Sequence, residues 1–252
     1  MSPPRESVRT MFDEISPRYD LLNHLLSFGI DHRWRRRVVE EIRKRFNHQL
    51  TSLHILDVAT GTGDLAIAVS KLHPAHIEGI DISLSMMAVG RRKTVLKGVA
   101  DIISFREGEA ERIPFEENSF DVVMVAFGVR NFEELKKGLQ EMKRVMKPGG
   151  LMLILEFSYP DRYPMKPLYT LYSKGIIPLL GKLISRHQHA YTYLPETVAS
   201  FPSGETFLAI LREQGLQKLR QLPLSGGIVT LYCAEKELPL LRKSIIKPGD
   251  QR

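Results

Sequence analysis

The stretch Leu53-His54-Ile55-Leu56-Asp57-Val58-Ala59-Thr60-Gly61-Thr62-Gly63-Asp64 decides how the chain folds. Its apolar run, Leu53, Ile55, Leu56 and Val58, is short and followed by glycines, which predicts a buried parallel strand. The run passes into Gly61-Thr62-Gly63 and then into Leu65 to Leu72, where the apolar spacing is helical. Strand, glycine turn and helix in this order aim free backbone N–H groups and the positive end of a helix at a ligand. The two glycines let that ligand come close to the backbone.

Two ligand chemistries compete for this turn. Gly61-x-Gly63-x-x-Ala66 satisfies the dinucleotide fingerprint, and Asp81 follows at about the spacing of its ribose-binding acid. Against a dinucleotide stands Asp57 at the strand end, because a carboxylate there repels a pyrophosphate and welcomes a cationic group. Asp57-x-Ala59-x-Gly61-x-Gly63 resembles the S-adenosylmethionine motif of class I methyltransferases, with Ala59 where that family has its first glycine. An α/β first turn with no ligand remains a third reading of these residues taken alone.

The rest of the chain narrows the choice. With 252 residues it can bury a full core, and the expected organisation is one domain over residues 1–235. Within it, residues 1–50 form a helical N-terminal cap and residues 159–200 a substrate-covering insertion; residues 236–252 form a basic tail. Cys233 is the one cysteine and lies in an apolar run, so an internal disulfide is excluded and a thiol nucleophile is disfavoured. The first fifteen residues lack the apolar core of a secretory signal, and no apolar run reaches membrane-spanning length. A cytoplasmic protein is expected. The net charge is +7, and Arg33, Arg35, Arg36, Arg37, Arg43, Lys44 and Arg45 crowd one predicted helix. That helix is a solvated face, or else a patch for anionic membrane or RNA.

Alternating elements follow the first strand. His76 to Ile82 predicts a second strand ending on Asp81, placed to grip ribose hydroxyls. Leu84 to Lys97 predicts a helix whose first turn, with Met86, either packs on an adenine ring or fills the core. Ile102 to Arg106 and Phe120 to Ala126 predict strands three and four, with Glu109 and Ala110 beyond the former and Phe127 to Asn131 beyond the latter. A helix over 133–146 is stopped by Lys147-Pro148-Gly149-Gly150 before a fifth strand, Leu151 to Phe157. Ser27 or Asp31 is a candidate cap for the basic helix. Leu216 to Pro223 and Ile228 to Cys233 predict a closing hairpin at Ser225-Gly226-Gly227. The expected fold is α/β: a doubly wound, mostly parallel seven-stranded sheet with an antiparallel terminal hairpin. Ligands in such sheets bind outside the carboxyl ends of the strands, where Asp57, Gly61, Asp81, Glu109 and Arg130 all map.

The loop after strand four has no Pro-Pro and no cysteine, which argues against methylation of nucleobase amino groups or of cytosine C5. Tyr19-Asp-x-Leu22-Asn23-x-x-Leu26-Ser27…Trp34 resembles the N-terminal signature of the demethylmenaquinone/ubiquinone C-methyltransferases. Arg144-Val-Met-Lys147-Pro148-Gly149-Gly150-x-x-Leu153-Ile154-x-Glu156-x-Ser158 resembles their second signature, and Phe127-Gly128-x-Arg130-Asn131 and Tyr191-x-Tyr193-Leu194 agree. The resemblance covers nearly the whole chain. It departs at Leu22, where the family has Met, at Asp31, where it has His, and at Ala126, where some members have a serine that contacts the cofactor.

The resemblance implies methyl transfer from S-adenosylmethionine to a ring carbon of a reduced prenylated quinol. The cofactor-binding set it suggests is Asp57, Ala59, Thr60, Gly61, Thr62, Gly63, Asp81, Ile82, Met86, Glu109, Ala110, Ala126 and Phe127. Arg130, Asn131 and Tyr19 are the catalytic candidates, acting on an ionising quinol hydroxyl; Arg130 has an ion pair with Glu109 or Glu156 as its other reading. No metal is expected, since His187-x-His189 is too small a ligand set. No nucleic-acid partner is expected. The prenyl tail and the basic helix imply peripheral contact with the inner face of an anionic membrane. Association with a second copy of the chain is left open.

Overall fold

Three helices precede the first strand: α1 (Arg5–Ile15), α2 (Tyr19–Leu26) and α3 (Asp31–Phe46). The decisive stretch then forms β1 (His54–Val58) and α4 (Asp64–Val69). There follow β2 (His76–Asp81), α5 (Leu84–Leu96), β3 (Ile103–Glu107), β4 (Phe120–Ala126), α6 (Leu135–Val145) and β5 (Met146–Phe157). Then come α7 (Met165–Leu171), α8 (Glu205–Glu213), β6 (Leu216–Leu224) and β7 (Val229–Lys236). This is a computed structural model, and it describes residues 4–160, 163–171, 175 and 196–238.

The strands form one sheet in the order β3-β2-β1-β4-β5-β7-β6. The first five pair in parallel; β7 runs antiparallel to both β5 and β6. Both faces are covered. Leu56 and Val58 pack with Leu139, Met142 and Leu211 on one face, while Ile55 packs with Val38, Ile42, Leu65 and Val69 on the other. That two-sided burial explains why β1 reads as a continuous apolar run. The order reverses between β1 and β4, so their carboxyl ends flank a crevice. No described helix is long and apolar enough to cross a membrane.

Three expectations are corrected. The basic helix starts at Asp31 with no side-chain cap, because both candidate caps are consumed elsewhere. Ser27 Oγ donates to Asp31 Oδ1 at 2.8 Å, and Asp31 is buried against Arg35 Nη1 at 2.6 Å. A buried charge is costly unless paired, so the carboxylate is held by Arg35 and not by helix-end amides. The segment Lys147–Gly150 does not separate helix from strand; β5 begins at Met146, paired with Phe120. Lys147 Nζ reaches both oxygens of Asp121 at 2.9 Å, and a register shift beyond Phe120 absorbs the left-handed Gly149 (φ 75°). Finally, β7 includes Lys236, whose Nζ donates to the carbonyls of Lys143, Arg144 and Met146. The rest of the expected tail, residues 239–252, lies outside the described residues, as do most of the run Pro167 to Ile184, His187, His189, Tyr191, Tyr193 and Leu194.

Candidate active site

A cleft with about 700 Å³ of free space, open mouth included, lies at the crevice between β1 and β4. Its floor is built from the strand ends: Ala59 and Gly61 after β1, Asp81 and Ile82 at β2, Ala110 beyond β3, and Ala126 and Phe127 at β4. Met86 of α5 and Asn131 also line it. The cover comes from the cap, through Arg5, Val8 and Phe12 of α1 and Tyr19 of α2. Of the cofactor candidates read from the sequence, the cleft is not lined by Asp57, Thr60, Thr62, Gly63 or Glu109.

Asp57, Thr60, Thr62 and Gly63 are buried behind the cleft, whereas Glu109 is half-exposed. Asp57 is 1% exposed, and Thr60 Oγ1 donates to its Oδ2 at 2.7 Å. Burial outweighs that bond and one from the Ala66 amide and, with the charge of Asp81 adding repulsion, pushes the Asp57 carboxyl up to about 7. Thr62 Oγ1 donates to Asp20 Oδ1 at 2.6 Å, which ties α2 to the glycine turn. Gly63 holds φ 76°, and a Cβ there would stand 2.8 Å from the Phe105 ring. Glu109 accepts from Arg5 at 2.7 Å, and the second guanidinium nitrogen of Arg5 reaches Glu133 at 3.2 Å.

Asp81 organises the turn. Its Oδ2 accepts from the Gly61 amide and its Oδ1 from the Ser83 amide, both at 2.8 Å. The Gly61 N–H therefore serves the protein and is not free for a ligand, as the bare motif suggested. Burial pushes the Asp81 carboxyl up to about 6, and nearby Asp13 adds to it. Asp13 is placed there by α1 and accepts from Ser83 Oγ at 2.6 Å. Among the described residues neither Asp57 nor Asp81 has a lysine or arginine in contact. Arg5 lines the cleft but is paired with Glu109 and Glu133, so the buried Asp57 and the half-buried Asp81 favour a positively charged ligand on their side and disfavour a phosphate.

Ala59 adopts φ 51°, a left-handed conformation that costs a non-glycine residue about 1–2 kcal/mol. Its methyl fills the space that Gly128 leaves: a Cβ on Gly128 would lie 2.7 Å from the Ala59 Cβ. The departure from the glycine motif is thus matched by a glycine on the facing loop.

The three catalytic candidates separate. Tyr19 and Asn131 line the cleft; Arg130 does not. Arg130 Nη1 donates to Glu156 Oε1 at 2.8 Å and to the Phe127 carbonyl at 2.5 Å, and its guanidinium lies over the Phe157 ring at 5.5 Å. Glu156 is fully buried, so this is an internal ion pair that holds the loop after β4. The Arg130 Nε is buried without a partner among the described residues. Burial pushes the Tyr19 phenol above its ordinary value, while the Asn23 side chain and the charge of Arg130 pull the other way. Tyr19 is therefore a neutral hydroxyl at the cleft wall, with Arg130 as a nearby positive charge.

The sequence pointed to Tyr19 of the cap but missed the share of α1, which brings Arg5, Val8 and Phe12 to the cleft. The spacing of Val8, Phe12 and Ile15 is a signal for a buried helical face, but nothing local says what it covers. Among the described residues, one group has metal-type ligand atoms close together, His24, Asp31 and His32, within 4.8 Å of one another. Asp31 already accepts from Ser27 and Arg35, and His24 Nδ1 lies 2.9 Å from it, so the group anchors the turn between α2 and α3.

Comparison with known proteins places the chain among methyltransferases. The sequence model of the ubiE/COQ5 methyltransferase family matches residues 2–236. The chain is 49% identical to the demethylmenaquinone methyltransferase of Bacteroides fragilis, over 92% of this chain and 93% of that one. It is 45% identical to a ubiquinone/menaquinone biosynthesis C-methyltransferase of Geotalea uraniireducens, over 92% and 97%. Among solved structures, a methyltransferase from Aquifex aeolicus shares the fold with a TM-score of 0.55 at 22% identity, covering 78% of this chain and 88% of that one. A putative one from Methanococcus maripaludis does so with a TM-score of 0.59 at 20% identity, covering 94% and 97%.

Proposed function

The chain belongs to the ubiE/COQ5 methyltransferase family, and from that premise we propose that it transfers the methyl group of S-adenosylmethionine to a ring carbon of a reduced, prenylated quinol. Demethylmenaquinol is the preferred substrate, in line with the name of the 49%-identical relative; the benzoquinol of ubiquinone synthesis is the alternative ring. The observation that carries the reading is the pair of carboxylates, Asp57 buried and Asp81 half-buried at the wall of an open cleft, with no lysine or arginine in contact with either among the described residues. S-adenosylmethionine, when bound, supplies an electrophilic methyl on a sulfonium, together with an ammonium group. Asp57, through the turn it supports, would favour that positive end, and Asp81 would hold the ribose. Met86, Ile82 and Ala110 form the apolar wall for the base.

The remaining chemistry belongs to the chain. A quinol ring carbon is a weak nucleophile until a neighbouring hydroxyl ionises, and phenols ionise near pH 10. The Tyr19 hydroxyl and the Asn131 amide position that oxygen at the cleft wall. Arg130 contributes positive charge from behind the loop, where it is held by Glu156, and does not accept the proton itself. Phe12, Phe127 and Val8 exclude water from the reacting carbon. The prenyl tail brings the protein into reversible contact with the cytoplasmic face of an anionic membrane, supported by the exposed cations of α3.

The test is a methyl-transfer assay with chemically reduced and oxidised demethylmenaquinone. Product is expected only from the reduced form. Equal methylation of the oxidised quinone, whose ring is electron-poor and carries no ionisable hydroxyl, or none from the quinol, refutes the reading.

A further inference from the structure

We propose that the turn between α2 and α3 is a wedge that enters an anionic bilayer, with Phe28 and Ile30 as the inserting side chains and Arg33, Arg36 and Arg43 as the headgroup contacts. Phe28 is 74% exposed and Ile30 36%, and Leu21 on α2 is 56% exposed. Phe28 holds φ 51° and Gly29 φ 72°. A bulky aromatic in the left-handed region is a strained conformation that the surroundings must impose. Here they do: the Gly29 amide donates to the His24 carbonyl at 2.9 Å, the Ile30 amide to Ser27 at 3.0 Å, and Ser27, Asp31 and Arg35 lock the turn beneath. The frame fixes the backbone at Phe28, whose side chain is exposed.

The charge beside it is selective. The basic helix divides its cations between two tasks. Arg35 is buried against Asp31 and Asp64, Arg37 and Lys44 pair with Glu41, and Arg45 reaches Glu235. Arg33, Arg36 and Arg43 are exposed and have no carboxylate partner among the described residues. Spacings of three and seven put these three on one helical stripe that starts next to the turn. Unpaired cations beside exposed apolar side chains fit a surface that is anionic outside and apolar within. A single-stranded nucleic acid would use the arginines and an aromatic face, but Ile30 and Leu21 offer it nothing to stack on. The wedge also leads to the cleft: α2 carries Tyr19 into the cleft wall at its other end, about 12 Å away along eight residues, and Asp20 grips Thr62 and Lys93.

This inference rests on the quinol reading for its purpose but not for its test. Sedimentation of the full chain with phosphatidylglycerol/phosphatidylcholine vesicles is expected to show binding that pure phosphatidylcholine does not. Phe28→Ser should weaken that binding about tenfold. Arg33→Gln with Arg36→Gln should weaken it about twenty-fivefold, about fivefold for each arginine at an anionic surface. S-adenosylmethionine binding should be unchanged in all of these variants. A Phe28→Trp reporter in a Trp34→Phe background should be quenched by brominated lipid tails. Vesicle binding by Phe28→Ser equal to the parent, an unquenched reporter, or binding of single-stranded RNA with neither vesicle type bound overturns the proposal. If Phe28-dependent vesicle binding persists while no demethylquinol is methylated, the wedge stands and the quinol reading falls. If Phe28→Ser methylates a short-chain, water-soluble quinol at the parent rate but loses the long-chain, membrane-embedded one, both stand.

Discussion

Replacing Asp57 with asparagine should separate what the folded state tolerates from what the ligand needs. The carboxyl has an ordinary value of 3.8 and is pushed up to about 7 by burial. A group raised in this way contributes stability that is fully present below the unfolded value and is lost as pH rises through the folded one. At about 1.4 kcal/mol per pH unit, the difference corresponds to about 4 kcal/mol over the whole range and about 3 kcal/mol between pH 5 and pH 8. Asp57→Asn removes the titration while keeping the shape and a side-chain oxygen for the Ala66 amide. The stability of the ligand-free variant relative to the parent should therefore rise by about 3 kcal/mol from pH 5 to pH 8 in urea titrations. S-adenosylmethionine should bind the variant about 1–3 kcal/mol more weakly at pH 8 by calorimetry. In the parent the affinity should fall as pH drops below about 7, since the carboxyl then takes up a proton. Parallel stability curves for parent and variant, together with unchanged affinity, would refute the electrostatic account of the site.

Three more outcomes follow from the loop facing the turn and from the cleft wall. Gly128→Ala should destabilise by about 1–3 kcal/mol, because its Cβ would stand 2.7 Å from that of Ala59; adding Ala59→Gly should restore most of the loss, and simple additivity in thermal unfolding would contradict the contact. Arg130→Ala should cost about 3–5 kcal/mol of stability by leaving Glu156 buried and unpaired, whereas Arg130→Met with Glu156→Met should fold far better while losing kcat. A stable Arg130→Ala protein with the parent's kcat would remove Arg130 from both roles. Tyr19→Phe keeps the ring and should lower kcat about tenfold to a thousandfold with cofactor affinity preserved; an effect on cofactor affinity alone would move Tyr19 to the cofactor side.

Much of the fold was legible because it depends on near neighbours. The run Ile55 to Val58, the glycines at 61 and 63 and the alternation of apolar strands with amphipathic helices fix a parallel sheet and the edge where ligands bind. What was not legible depends on partners far along the chain. Arg35 and Arg36 look alike in the sequence, yet one is buried between Asp31 and Asp64 and the other is exposed. Asp20 meets Thr62, and Arg5 meets Glu109, across gaps that no local pattern spans. Arg130 sat at the right edge of the sheet, but the rotamer that turns it to Glu156 is a packing outcome. Asp57 likewise lies at the ligand edge by register but behind the wall by burial. Position along a strand is written in the pattern; direction and depth of a side chain are settled by whatever packs beside it.

The strand order has a consequence for the chain as it is made. β5 pairs on one side with β4, which precedes it, and on the other with β7, from Leu151 opposite Glu235 to Phe157 opposite Val229. A ribosome therefore exposes the apolar Leu151–Leu155 segment with one hydrogen-bonding edge open until about eighty further residues have been added. At 5–20 residues per second that interval is roughly 4–16 seconds, long compared with the formation of any local element. During it the open edge is a template for another nascent chain. The strand that seals the sheet's interior is the last one synthesised, so chains that terminate early carry the adhesive edge and lack its cover.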